Sequence, residues 1–188
     1  IPLGTNGSVN PAGAGGADAH GGADDFLQRS ALNARVYADT IKRSVASVQN
    51  KVQYPQSPFA TQLKLTAQMI AAGLQTRVYY AQIGGFDTHS GQAARHVRLM
   101  EELSEGLASF VEDLKALGQL DRTTVMTFSE FGRRVAENGS GGTDHGEAAP
   151  LFVMGTSIQP GFHGAPPELR PDKLHRGDVP FTQDFRDL

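Results

Sequence analysis

The sequence predicts an α/β fold built on a mostly parallel central sheet, and three observations lead to that reading. The run Arg77-Val78-Tyr79-Tyr80-Ala81-Gln82-Ile83 is β-branched and aromatic and is bounded by Gly84-Gly85, which marks a buried strand. A second such run, Thr123-Thr124-Val125-Met126-Thr127-Phe128, follows later in the chain. Between them Leu99, Leu103, Leu107, Phe110, Leu114 and Leu117 recur at helical spacing. Strand, helix and strand in that order form a βαβ unit, whose crossover is right-handed and whose strands lie parallel. Ligands of such sheets bind beyond the carboxyl ends of the strands.

The remaining elements follow from local pattern. Residues 1–25 are dominated by Gly, Ala, Asn, Ser and Asp, a composition that cannot bury an apolar face and reads as a flexible segment ahead of one domain over 26–188. From Phe26 to Val52, Leu27, Leu32, Val36, Ile41, Val45 and Val48 recur at roughly helical spacing, giving one long or two short amphipathic helices. Ser57-Pro58 reads as a cap followed by proline at the first helical position, with Phe59, Leu63, Ala67, Ile70 and Leu74 as the apolar stripe and an end near Gly73. The helix through Leu99 to Leu117 closes at Gly118, with Glu101, Glu102, Glu105, Glu112 and Asp113 expected on its solvated side. After a Gly/Asn/Ser loop over 138–142, Leu151-Phe152-Val153-Met154-Gly155 predicts a third strand. The proline-rich remainder reads as loop, and the chain reads as a piece cut at both ends.

Composition bounds the function. At 188 residues the chain is long enough for one domain with a core, the usual size being roughly 100–150 residues. A net charge of −3 gives no footprint for nucleic acid, and no apolar run approaches the ~20 residues needed for membrane insertion. With no cysteine, any metal must be held by imidazole nitrogen and carboxylate oxygen.

Three polar clusters fall after strand-like runs: Asp87 and His89 in Gly84-Gly85-Phe86-Asp87-Thr88-His89, Glu130 in Ser129-Glu130-Phe131-Gly132-Arg133, and Asp144 and His145 in Gly142-Thr143-Asp144-His145-Gly146. Asp87, His89, Glu130, Asp144 and His145 together form a ligand set for a divalent ion such as zinc or manganese. Arg133 is placed to clamp a phosphate or sulfate, whereas Arg134 is expected to pair with surface acids. Ser129 offers a serine-hydrolase alternative, but its neighbours lack the glycines of a nucleophile elbow. His96 reads as a half-buried helical residue, and His20, His163 and His175 receive no role.

These three motifs, in this order and spacing over residues 26–188, resemble the hallmarks of the DUF1501 proteins, a family placed with the alkaline phosphatases and sulfatases. The resemblance implies an alkaline phosphatase-like three-layer sandwich, incomplete here because the nucleophile-bearing N-terminal part of the domain has no counterpart in the chain. It implies a divalent metal bound by Asp87, His89 and His145, with Glu130 a ligand or orienting group, Arg133 on the substrate, and a small anionic ester as that substrate. Glu130 and Phe131 stand where the superfamily carries Asp and His, which leaves the second metal position without its imidazole. A periplasmic or secreted location is implied as well. The expected activity is hydrolysis of phosphate or sulfate esters; the alternative is a secreted binding or structural protein that retains the fold without catalysis.

Overall fold

The computed structural model describes residues 19–187. The chain divides into two units, residues 1–42 and 43–188. Helix α1, Ala19–Ala46, is one long helix rather than two, and its first residues overlap the glycine-rich segment expected over 1–25; the part of that segment up to residue 18 lies outside the described residues. Phe26, Leu27, Leu32, Val36 and Tyr37 of α1 are exposed.

The core belongs to the second unit. Helix α2, Pro58–Ala71, starts as its sequence predicts: Ser57 is the N-cap, its hydroxyl accepts from the Ala60 amide at 3.1 Å, and Pro58 fills the first turn, where no amide partner is needed. Gly73 ends it in the left-handed conformation, φ +76°. Helix α3, Gln92–Ala116, closes in the same way at Gly118, φ +69°. Phe59, Ala60, Leu63, Ala67 and Ile70 of α2 meet Phe110 and Leu114 of α3, with Tyr54 at one edge. Gly106 allows this approach, because a Cβ there would sit 3.0 Å from the Phe59 ring.

One side chain reverses its expected environment. Asp113 is 0% exposed, not on the solvated face of α3. Its carboxylate accepts from Asn50 Nδ2 at 2.7 Å, the Lys51 amide at 2.7 Å and the Tyr54 hydroxyl at 3.0 Å, so the loop before α2 is fastened to α3 through a single acceptor group. Burial, the Asp113 charge and this hydrogen bond all push the Tyr54 phenol above its ordinary range.

The expected parallel sheet is not formed. The described residues make an α+β arrangement with two separate two-stranded sheets, both antiparallel. Strand β1, Val125–Met126, pairs with β4, Val153–Met154, and strand β2, Gly132–Glu137, pairs with β3, Thr143–Gly146. Residues 77–83 keep a strand's alternation, with Tyr79, Ala81 and Ile83 against the core and Val78 and Tyr80 exposed, yet they join no ladder among the described residues. The physical reason lies in where the backbone groups find partners. The β2–β3 hairpin closes through the short loop at residues 138–142, while in the 77–83 segment the Gln62 side chain takes both backbone groups of Gln82, donating from Nε2 to Gln82 O at 2.9 Å and accepting from the Gln82 amide at Oε1 at 3.0 Å. Close backbone approach also needs glycine: a Cβ at Gly146 would lie 2.7 Å from the Arg133 carbonyl carbon, and one at Gly132 would overlap Ala148.

Candidate metal centre

The site is assembled from the turn after residues 77–83 and from the β2–β3 hairpin. Thr88, 1% exposed, anchors the turn: its amide donates to Phe86 O at 2.9 Å, and its carbonyl accepts from the Thr143 amide at 3.3 Å. Gln92 Nε2 then ties the two motifs together by donating to Thr88 Oγ1 at 2.8 Å and to Thr143 Oγ1 at 3.0 Å. Gly142 is required where the segments cross, because a Cβ would lie 2.3 Å from the His89 carbonyl carbon. These contacts deliver the flanking residues, Asp87 and His89 on one side and Asp144 and His145 on the other, to a common point.

There the ligand atoms of Asp87, His89 and His145 all lie within 4.8 Å of one another. Asp87 Oδ1 is 2.9 Å from His89 Nε2, 2.8 Å from His145 Nε2 and 3.3 Å from Arg133 Nη1. The hydrogen bond from His145 holds the Asp87 carboxyl below its ordinary range, and the charges of both histidines act in the same direction. Asp144 stands one step back, with Oδ1 3.1 Å from His89 Nδ1 and 3.2 Å from Asn138 Nδ2; the Asn138 bond first, then the His89 bond, lowers its pKa as well. A carboxylate on Nδ1 fixes the ring orientation and turns Nε2 toward the cluster, the arrangement typical of a metal-bound histidine.

The donor set is two imidazole nitrogens and one carboxylate oxygen, which suits zinc, manganese or iron(II). Each nitrogen of His89 faces a carboxylate oxygen, Nε2 that of Asp87 and Nδ1 that of Asp144. The side chains of Asp87, His89 and His145 are each about half exposed, leaving the point of convergence open to solvent. The residues present fit a divalent ion.

A family model described as "Protein of unknown function (DUF1501)" matches residues 22–180. The chain belongs to the DUF1501 family. No curated protein and no solved structure matches it.

The other DUF1501 motif residues are placed as follows. Glu130 is exposed and stays outside the cluster of ligand atoms, and Asp144 is a supporting group rather than a member of it. Arg133 is 17% exposed and turned inward: Nε donates to Thr143 Oγ1 at 2.9 Å, Nη2 to Thr143 O at 2.5 Å and Thr88 Oγ1 at 3.4 Å, and Nη1 to Asp87. Of its five N–H donors, one on Nη1 is left over beside Asp87. Arg134 pairs with Asp178 at 3.2 Å and donates to Arg176 O. Ser129 Oγ donates to Phe131 O at 2.7 Å, which engages its proton locally. His96 is half-buried and edge-on to Phe86 at 5.6 Å.

Sequence reasoning assigned no role to Asn138, Thr88, Gln92 or Thr143, and valued Phe131 only for what it replaces. Phe131 stacks flat on His145, with centroids 3.9 Å apart and planes at 4°, and carries Arg133 over its ring at 5.6 Å. The available signal was the period of two: Phe131 and Arg133 flank Gly132 on a strand-forming run. His175, to which no partner was assigned, pairs with Glu147 at 2.9 Å. His163 Nε2 lies 3.1 Å from Gln159 O. Among the described residues no helix is long and apolar enough to cross a membrane.

Proposed function

We propose that this DUF1501 chain contributes the metal-binding part of a hydrolase acting on small phosphate or sulfate esters, in the manner of the alkaline phosphatase and sulfatase superfamily. The observation that supports this reading best is the convergence of Asp87, His89 and His145, with Asp144 behind His89. A divalent ion held there would supply Lewis-acid stabilisation of charge developing on an ester oxygen, an effect worth several kcal/mol.

The protein's own groups have separate tasks in this reading. Asp87 and the two Nε2 atoms hold the ion; Asp144 and the Phe131 ring fix the two imidazoles in orientation. Arg133 holds Asp87 and keeps one N–H on Nη1 for an anionic oxygen beside it. Glu130, exposed at the start of the hairpin, is available to an incoming ligand rather than to the ion. A periplasmic or secreted location belongs to the same proposal. Elemental analysis of protein purified without chelator tests it. We expect about one bound ion per chain, absent after His145→Ala; full metal content in that variant refutes the assignment.

The inward commitment of Arg133 favours a second reading, a secreted binding protein that uses the same cluster without turnover. Metal binding with no hydrolysis of nitrophenyl phosphate or sulfate by the full-length protein would select it.

A further inference from the structure

Asn138 opens the loop between β2 and β3 and is followed by Gly139, the residue that least hinders attack by its own main-chain nitrogen on the preceding side chain. The Asn138 side-chain carbonyl is polarised at both of its lone pairs. Oδ1 accepts from the Ser140 amide at 2.9 Å and from the Gly142 amide at 3.2 Å. Two preorganised main-chain donors on one carbonyl oxygen form the arrangement that stabilises an oxyanion in acyl transfer. Among the described residues the Gly139 amide is not a donor in any of the loop's hydrogen bonds, which run from Asn138, Ser140, Gly141 and Gly142. An electrophile with a fixed oxyanion site therefore stands next to a nitrogen nucleophile that carries no side chain.

We infer that Asn138–Gly139 is a self-modifying site. The Gly139 nitrogen loses its proton to solvent and bonds to Asn138 Cγ, the Cγ–Nδ2 bond breaks, and the side-chain nitrogen takes up a proton and leaves as ammonia. Water then opens the resulting succinimide at either carbonyl, leaving an aspartyl or an isoaspartyl residue at position 138. No oxidant, cofactor or second protein is needed.

The consequence falls on the cluster. Asn138 Nδ2 donates to His89 O at 3.0 Å and to Asp144 Oδ1 at 3.2 Å, and both bonds disappear with the ammonia. A carboxylate in its place sets acceptor against acceptor and charge against charge, so the support that Asp144 gives His89 is lost. The modification acts on the loop whatever the cluster binds, so it stands or falls separately from the hydrolase reading.

The test is peptide mapping by mass spectrometry of purified full-length protein aged at mildly alkaline pH, resolving the three forms of residue 138. Ageing is run on folded protein and in urea. The inference expects conversion severalfold faster in the folded protein, where the two amides hold Oδ1, and near-complete suppression in Gly139→Ala. That variant is sterically free, since a Cβ at Gly139 meets nothing within 4 Å. Equal or slower conversion in the folded protein overturns the inference, because the hydrogen bonds then protect the amide. Undiminished conversion in Gly139→Ala overturns it as well.

Discussion

Replacing Asp113 with alanine tests the polar anchor on which the two-helix core closes. The carboxylate is fully buried and is the acceptor for three donors. Asn50 Nδ2 keeps a second acceptor in Lys64 O at 3.2 Å, so its loss is partial. The Lys51 amide and the Tyr54 hydroxyl are stranded, and an unpaired buried donor costs about 1–3 kcal/mol. Removal of the carboxylate also leaves a small void. The expected loss is about 3–5 kcal/mol, a large part of the roughly 5–15 kcal/mol that holds a domain folded. Asp113→Asn keeps one acceptor oxygen but turns an NH2 toward donors, and about half that loss is expected. Urea denaturation followed by far-ultraviolet circular dichroism measures both, with the slope unchanged and the midpoint lowered. An Asp113→Ala loss below about 1 kcal/mol refutes the reasoning, since it would mean that water satisfies the three donors as well as the carboxylate does.

Three further outcomes follow from the same contacts. Asp144→Ala is expected to weaken divalent-metal affinity about 10–100-fold in a chelator-competition titration while keeping the stoichiometry, because it removes the orienting group and no ligand; unchanged affinity refutes the supporting role. Ser57→Ala is expected to cost about 1 kcal/mol in urea melts, the usual loss of an N-cap, with no change in metal binding. Because the folded-state pKa of Tyr54 lies above its unfolded value, stability is full below pH ~10 and falls as pH rises beyond it, while the unfolded phenol ionises and the folded one does not. Tyr54→Phe should flatten that alkaline decline when urea midpoints are compared across pH, and an equally steep decline in the variant rules out Tyr54 as its source.

What the sequence made legible was mainly local. The ends of α2 and α3 were readable because Ser57, Pro58, Gly73 and Gly118 act on the backbone within one turn of themselves. The polar motifs were readable because Asp and His within two residues of each other, after a strand-like run, are unusual; three of the five expected ligands do converge. Strand pairing is not local, and identical apolar runs serve parallel and antiparallel partners, so β1 and the 77–83 segment were misread both in partner and as buried strands, with Val78, Tyr80 and Met126 exposed. Asp113 failed for a different reason. Gly106, Phe110, Asp113 and Leu117 follow the i, i+4, i+7, i+11 spacing of one helix face, so position pointed inward while residue type pointed outward. Glu130 carried the right chemistry, but its place before β2 leaves it in solvent, and no spacing rule distinguishes it from Asp87.

The first amides of α3 do not wait for water. Gly91 N donates to Ser140 O at 3.3 Å and Gln92 N to Gly141 O at 2.9 Å, so the hairpin loop seals the end of the helix whose other end carries Asp113. With 25 residues the helix spans about 37 Å, and one rigid rod thus runs from the solvent-open cluster to the buried anchor. Occupancy at one end should therefore be audible at the other. A ligand that holds the loop still stabilises the rod by mass action, about 2.7 kcal/mol at a hundred times its dissociation constant. A rise in melting temperature, scored by helix signal alone, would rank candidate ions and anions.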